Sequence, residues 1–210
     1  MTVLSYAINS GCERSDMSNS ISDKRVHKHI RITVVGDGNI GKTCLLICYK
    51  DKKFQEYYIP TVFDSYSMTV PIGDERYTII LRDTAGQEEY DRLRPLAYPD
   101  TDVFVVCFAV NNRASFRSVE KKWVPEVRHH KPYAKVILVC TKIDLREDDN
   151  PDHLTTLEGK QMQKKVKADR FVECSSKLMQ NVSKVFAEAM AAYIFSPQKK
   201  KASTPNCVYL

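Results

Sequence analysis

The chain has 210 residues and 43% hydrophobic content, enough for one domain with a packed core. Its net charge of +6 comes without a basic face interleaved with aromatic residues, so we do not expect nucleic-acid binding. The longest apolar stretch, residues 103–110, is too short to span a bilayer, and no signal-peptide pattern is present. Its 7 scattered cysteines lack disulfide or metal spacing, which is typical of a reducing cytosol.

The chain divides into three segments. Residues 1–28 are polar and serine-rich without sustained periodicity, which predicts a disordered N-terminal arm. Residues 29–196 alternate strand-like and helix-like patterns, which predicts a single α/β domain. Residues 197–210 form a polar, basic tail.

The predicted elements give a six-stranded, mostly parallel sheet with helices on both faces. Strands are predicted over 30–35, 65–70, 76–82, 103–110, 135–140 and 171–174, and helices over 42–51, 113–130, 156–168 and 180–195. The segment Pro71 to Asp74 is a turn signal, so the second and third strands are predicted to form a hairpin. The hairpin implies one antiparallel edge strand.

A glycine-rich loop between the first strand and the first helix fits two templates. It satisfies the dinucleotide fingerprint G-x-G-x-x-G and the phosphate loop G-x-x-x-x-G-K-[ST]. Lys42 and Thr43 favour the phosphate loop, because a cation for the β- and γ-phosphates and a hydroxyl for Mg²⁺ are needed only there. The residues expected to surround the phosphates are Gly36, Asp37, Gly38, Asn39, Ile40, Gly41, Lys42, Thr43 and Cys44.

A second motif, Asp83-Thr84-Ala85-Gly86, follows the third predicted strand. Asp83 is placed to hold Mg²⁺ through a water molecule. Gly86 lacks a side chain, so its N–H can approach the γ-phosphate closely. Gln87 comes next and is placed to orient an attacking water.

A third motif, Thr141-Lys142-Ile143-Asp144, follows the fifth predicted strand at the edge where ligands bind in open α/β sheets. One carboxylate on Asp144 can accept from both N1–H and N2–H₂ of guanine. Adenine lacks the N1–H, and a site built on such a pair rejects the wrong base by about 10⁴-fold. Lys142 is expected to lay its stem along the base plane. Together the motifs predict a protein that binds GTP and GDP with Mg²⁺.

The sequence resembles the Rho family of small GTPases in the Ras superfamily, over about residues 30–196 and the terminal tetrapeptide. The segments that carry the resemblance include TCLL from Thr43, YIPTVFD from Tyr58, DTAGQEEYDRLRPL from Asp83, KWVPE from Lys122 and ECS from Glu173. The resemblance implies the P-loop NTPase fold and slow GTP hydrolysis, with Gln87, Lys42 and Thr61 as catalytic residues.

The resemblance also implies roles that spacing alone does not give. Thr61 is expected to bind Mg²⁺ and sense the γ-phosphate, and Tyr58 to close over the phosphates. Phe54 is expected to brace the guanine, and the loop of Ser175, Ser176 and Lys177 to form a second contact with the base.

By the same resemblance, two switch segments engage exchange factors, GTPase-activating proteins and effectors of actin organisation or membrane traffic. Switch I runs from Tyr58 to Asp64 and switch II from Gly86 to Leu96. The resemblance assigns Arg92 and Arg94 of switch II to the partner surface. No arginine-finger motif is found within the chain, so a partner is expected to supply that arginine.

The tail indicates membrane attachment. Cys207-Val208-Tyr209-Leu210 fits the C-a-a-X prenylation pattern, and its terminal leucine favours geranylgeranyl. One lipid binds reversibly, so the basic run from Lys199 to Lys201 is expected as a second signal on an anionic membrane. We expect the cytoplasmic face of the plasma or endosomal membrane, with a cytosolic pool.

Several residues depart from the family pattern. Asn39 stands in the phosphate loop where a small residue is usual, which leaves a second functional hypothesis open: a fast-exchanging, constitutively GTP-loaded membrane scaffold. Arg82 stands where the family usually has an aromatic residue that helps to select exchange factors. Residues 146–155 look like a shortened insert without room for the family's extra helix. Cys44 lies in the first turn of a helix, where the dipole can lower a thiol pKa, but packing is its expected role. Trp123 is expected in the core or lining a groove, not in a site.

Overall fold

The computed structural model describes residues 28–55, 63–147 and 149–196. The strands are β1 Lys28–Val35, β2 Phe63–Ile72, β3 Glu75–Thr84, β4 Val103–Ala109, β5 Lys135–Thr141 and β6 Arg170–Glu173. The helices are α1 Lys42–Asp51, α2 Arg113–Ser118, α3 Val124–His130, α4 Thr156–Lys165 and α5 Val182–Ile194. A π turn, Val119–Trp123, joins α2 to α3, and 3₁₀ turns occupy Glu88–Tyr90, Arg94–Ala97 and Ile143–Leu145.

The strands form one six-stranded sheet in the order β2-β3-β1-β4-β5-β6. Only the edge strand β2 runs antiparallel to its neighbour, as the hairpin signal predicts. Strand β1 has β3 on one side and β4 on the other, so the chain order reverses beside it. The loop after β1 therefore opens at a topological switch point, where α/β sheets bind ligands.

The sheet has an apolar core on each face, because successive side chains of a buried strand point to opposite sides. Along β4, Val103, Val105 and Cys107 pack with α1 and α5, while Phe104 and Val106 pack with the α2–α3 segment and α4. All residues of β4 are buried. Helices therefore pack on both faces of the sheet. The sheet in turn positions the loops at the carboxyl ends of its strands.

Some element boundaries differ from the sequence prediction. The hairpin turn is only Gly73 and Asp74, because Pro71 and Ile72 still pair with Arg76 and Glu75 in the ladder. The φ of +60° at Gly73 permits this tight turn. Lys28, predicted in the arm, belongs to β1, and helix α4 ends at Lys165 rather than at residue 168.

The shortened insert forms no helix among its described residues, 146–147 and 149–155. Arg113 holds the loop by donating from Nε to the carbonyl of Pro151 at 2.9 Å, and Arg146 donates to the carbonyl of Leu154 at 2.9 Å. Leu154 itself is buried. The loop is therefore closed against the domain.

In the part of the chain that the structure describes, no helix combines the length and apolar character needed to cross a bilayer.

Candidate functional site

The loop between β1 and α1 follows backbone angles that few side chains allow. Gly36, Asn39 and Gly41 have φ values of +142°, +60° and +94°. A Cβ on Gly36 would lie 2.5 Å from the carbonyl oxygen of Cys107, so glycine is required there. Asparagine tolerates the left-handed region better than most residues, which accounts for Asn39. The loop leads directly into α1 at Lys42, and a helix N-terminus favours an anion.

A buried cation and a buried carboxylate lie beneath this loop. Lys42 is only 6% exposed, and its Nζ donates to the carbonyl of Asp37 at 2.7 Å. Burial lowers the pKa of the Lys42 amine, and the charge of nearby Asp83 opposes that shift. Asp83 is fully buried near the end of β3, opposite Val34 of β1. Thr43 follows on the open side, at the start of α1.

The start of switch II packs directly on the phosphate loop. A Cβ on Gly86 would lie 2.2 Å from the carbonyl oxygen of Gly36 and 2.5 Å from the carbonyl carbon of Asp37, so only glycine fits this contact. Gln87 is exposed, and its Cγ would lie 3.7 Å from a Cβ placed on Gly38. Gln87 is thus brought close to Gly38 in the loop between β1 and α1.

Between these loops lies a cleft of about 380 Å³. It is lined by residues of the phosphate loop and of the second motif, and Lys142 is the residue of the third motif that lines it. Its lining residues are Gly38, Asn39, Gly41, Lys42, Thr43, Cys44, Thr84, Ala85, Gly86, Gln87 and Lys142.

The third motif braces the phosphate loop from the far side. The Thr141 hydroxyl lies 2.5 Å from the carbonyl oxygen of Ile40 and 3.1 Å from that of Phe108, and Thr141 is buried. Lys142 has a φ of +58° and donates from Nζ to the carbonyl of Asn39 at 2.7 Å. These contacts hold β5 and the phosphate loop together, and Ile40 itself is buried in the core.

The predicted base-reading residues lie together. Ser175 is fully buried and donates from Oγ to Oδ1 of Asp144 at 2.5 Å. The backbone N–H of Ile143 donates to the carbonyl of Cys174 at 3.3 Å, which joins the two loops. The same Ser175 hydroxyl accepts from the N–H of Leu178 at 3.1 Å. Asp144 is therefore held in one orientation by its neighbouring loop.

The structure also describes the other residues that were predicted near the base, namely Ser176, Lys177 and Phe54. The carbonyl of Ser176 accepts from the Cys48 thiol at 3.6 Å, and Lys177 is exposed. Phe54 is half-buried and packs against the core on the α1 and α5 face. Tyr58, Thr61, Cys207 and the basic run from Lys199 to Lys201 lie outside the described residues.

The assignment of Arg94 to the partner surface is wrong. Its side chain is fully buried and stacks 4.5 Å from the ring of Trp123. Its guanidinium donates to Asp91 at 2.6 Å, to Glu126 at 3.0 Å and to the carbonyl of Ala85 at 3.1 Å. Arg92, by contrast, is exposed.

Trp123 was expected in the core or lining a groove, and it is buried in the core. Its Nε1 also donates to Oδ1 of Asp37 in the phosphate loop at 2.6 Å. Sequence reasoning missed this contact, because the two residues are 86 positions apart. The signal available was the segment KWVPE from Lys122, which the sequence places on a helix without indicating its neighbour.

The pKa of the Cys44 thiol is not lowered by its place in the first turn of α1, which agrees with the packing role expected for it. Burial raises the pKa of the Cys44 thiol, and the Lys142 charge offsets only part of that effect. Desolvation of the thiolate outweighs the helix dipole here. Cys44 contributes to the wall of the cleft as a neutral thiol.

The comparisons with known proteins agree with this geometry. The family model described as "Ras family" matches residues 31–194, so the chain belongs to the Ras family. The Drosophila melanogaster protein named "Ras-like GTP-binding protein RhoL" is 47% identical over 181 residues, which cover 86% of this chain and 94% of that protein. Within the family the chain is a Rho-type small GTPase, and the alternative of a constitutively loaded scaffold is not favoured.

Proposed function

We propose that the cleft binds GTP and GDP, with the phosphates under the loop of residues 36–43 and guanine at Asp144. The observation that carries this assignment is the contact of Gly86 with the phosphate loop, which brings switch II and Lys42 to one cleft. The curated relative is named a GTP-binding protein, which supports the same ligand. Loss of contacts to the γ-phosphate on hydrolysis would release the switch segments.

Mg²⁺ is the metal that the donor set fits. Thr43 offers a hydroxyl in the cleft and Asp83 a carboxylate beneath it, and hard oxygen ligands together with phosphates suit Mg²⁺. Thr43 would ligate the ion directly, Asp83 through water, and Thr61 of switch I in the GTP form. When bound, the ion supplies positive charge that stabilises the phosphate oxygens.

Hydrolysis is assigned to residues that already face the cleft. Gln87 orients a water for in-line attack on the γ-phosphate, and Lys42 stabilises the negative charge that develops there. Intrinsic hydrolysis is expected at about 10⁻⁴ to 10⁻³ s⁻¹, since an arginine supplied by a partner accelerates this chemistry by roughly 10⁵-fold. The chain is then a switch that activating proteins turn off and exchange factors turn on.

The partner surface is assigned to the two switches. Within switch II, Leu93 and Leu96 are 56% and 75% exposed, and Arg92 is exposed beside them. Exposed leucines flanked by a cation suit a partner with an apolar patch and an acidic rim. We assign exchange factors, activating proteins and effectors to this surface together with switch I, and signalling to the actin cytoskeleton or membrane traffic as its output.

Measuring nucleotide binding and single-turnover hydrolysis on the full chain tests this function. Wild type is expected to bind GDP and GTP but not ATP, and Gln87→Leu to slow hydrolysis by about tenfold or more with GDP affinity unchanged. Glu89→Leu is the matched control, because Glu89 is exposed in the same switch and has no assigned role in nucleotide binding or hydrolysis. ATP competing as well as GTP would contradict the function.

The tail is proposed to place the chain on the cytoplasmic face of the plasma or endosomal membrane, with a cytosolic pool. Geranylgeranyl on Cys207 and the cations at Lys199, Lys200 and Lys201 supply the two signals. Cys207→Ser is expected to move the protein to the soluble fraction of a cell lysate, while Cys12→Ser leaves its partition unchanged. Membrane retention of Cys207→Ser would contradict this attachment.

A further inference from the structure

We propose that Arg94 is a positioning residue: it holds the Ala85–Gly86 peptide so that the Gly86 N–H faces the terminal phosphate of GTP. Arg94 then contributes to binding of GTP and not of GDP. This inference rests on the proposed function, in which Gly86 contacts the γ-phosphate. It names a residue outside the three nucleotide motifs as part of the mechanism that distinguishes the two nucleotides.

The peptide unit between Ala85 and Gly86 has a fixed geometry. The carbonyl of Ala85 and the N–H of Gly86 belong to the same peptide, which is planar and trans, so they point in opposite directions. The carbonyl accepts from Nη1 of Arg94 at 3.1 Å, on the buried side of switch II. The N–H therefore points the other way, toward the side on which Gly86 lines the cleft.

The guanidinium that holds this carbonyl is itself immobilised. The Arg94 side chain is fully buried, and its other nitrogens donate to Asp91 at 2.6 Å and to Glu126 at 3.0 and 3.1 Å. Glu126 lies on α3, and Asp91 is held in turn by Lys122 at 3.0 Å. A planar guanidinium that is bonded to these partners has little freedom to rotate away from the Ala85 carbonyl.

Arg94 is also linked, through Trp123, to the phosphate loop on the other side of the cleft. Arg94 stacks on Trp123, whose Nε1 donates to Asp37 at 2.6 Å. Asp37 is one of the residues against which Gly86 packs without room for a Cβ. The stacked pair of Arg94 and Trp123 thus holds switch II at a fixed distance from the phosphate loop. A peptide that is already oriented does not have to be ordered when the γ-phosphate arrives.

Affinities of the full chain for GDP and for GTPγS, measured in Mg²⁺, test this positioning. Arg94→Lys keeps the buried positive charge but lacks the planar fork needed to reach the carboxylates and the carbonyl together. Its affinity for GTPγS is expected to fall about tenfold relative to its affinity for GDP. Tyr98→Phe is the matched control: it removes the 2.6 Å bond from Tyr98 to Glu126 in the same network and leaves the four bonds of Arg94 intact.

The outcomes separate positioning from mere stabilisation. A lowered melting temperature with an unchanged GTPγS-to-GDP affinity ratio is expected for Tyr98→Phe. The same result for Arg94→Lys, or an equal loss of both affinities, would overturn the proposal. Failure of wild type to bind either nucleotide would contradict the proposed function itself.

If Arg94→Lys does not fold, a measurement on the wild-type protein tests the hydrogen bond from Arg94 to Ala85 on which the proposal depends. In the GTPγS complex, a scalar coupling through the hydrogen bond is expected between the Arg94 guanidinium nitrogen and the Ala85 carbonyl carbon. Detection supports the proposal. Its absence, in a spectrum that shows the other guanidinium signals, refutes it.

Discussion

The phosphate half and the base half of the site are built from different parts of the chain. The phosphate half is made of backbone, with left-handed angles at Gly36 and Asn39 and with Gly86 in close contact with the loop. The base half is made of side chains, chiefly Asp144 and the buried Ser175 that orients it. Added atoms should therefore damage the first half, and removed atoms should damage the second.

The two halves are also assigned to different parts of the nucleotide: one to guanine and the other to the phosphates. Guanine is common to GTP and GDP, whereas the terminal phosphate belongs to GTP alone. Changes in the base half should therefore alter the affinities for GTP and GDP equally. Changes around Gly86 should alter the ratio of the two affinities.

Asp144→Ala is expected to have the largest effect. Removing the carboxylate leaves two guanine donors and the Ser175 hydroxyl without their acceptor, so affinity for both nucleotides should fall by on the order of 10²–10³-fold. Fluorescent GDP and GTP-analogue titrations measure both losses. Asp149→Ala, at an exposed position in the following loop, is the matched control. A loss confined to one nucleotide would break the comparison between the halves.

Gly86→Ala should act on the other half. Its Cβ would lie 2.2 Å from the Gly36 carbonyl oxygen, so switch II must move away from the phosphate loop. Affinity for GTPγS is expected to fall by about 10–100-fold, and affinity for GDP by less.

Gly73→Ala gives a matched control for that glycine. A Cβ there meets nothing within 4 Å, although the φ of +60° makes it strained. A lower melting temperature without any change in nucleotide affinity is expected. Equal losses of GDP and GTPγS affinity in Gly86→Ala would show that this glycine supports the whole loop and does not sense the γ-phosphate.

The phosphate half could be predicted because its signal is contiguous. Eight adjacent residues from Gly36 to Thr43 carry the loop, and the hairpin and the mostly parallel sheet follow from turn signals and alternation of elements. The contact of Trp123 with Asp37 could not be predicted, since it depends on how the segment between α2 and α3 packs against the phosphate loop. Arg94 was misassigned for the same reason: an arginine is usually exposed, and only tertiary packing shows its buried partners.

Smaller effects should still separate the halves. Ser175→Ala removes the hydroxyl that orients Asp144 and accepts from Leu178, so both affinities should fall together by about 3–10-fold. Titration with both nucleotides measures the loss. Ser118→Ala is the control, because its hydroxyl bonds only within α2, to the Ala114 carbonyl. A change in the GTPγS-to-GDP ratio would mean that the base loops also influence the switches.

Asn39→Gly should have the smallest effect, although Asn39 is the most unusual residue of the phosphate loop. Its backbone has a φ of +60°, which glycine adopts readily, and its contact with the base half is made by its backbone carbonyl, which accepts from Lys142. The rate of GDP release is expected to change by less than about threefold. Asn39→Ala is the contrasting variant, since alanine in the left-handed region should cost about 1–2 kcal/mol of stability. If Asn39→Gly slowed GDP release by tenfold, the side chain itself would control exchange. If only Asn39→Ala altered the protein, the bridge from Lys142 to the loop would depend on backbone shape, as the rest of the phosphate half does.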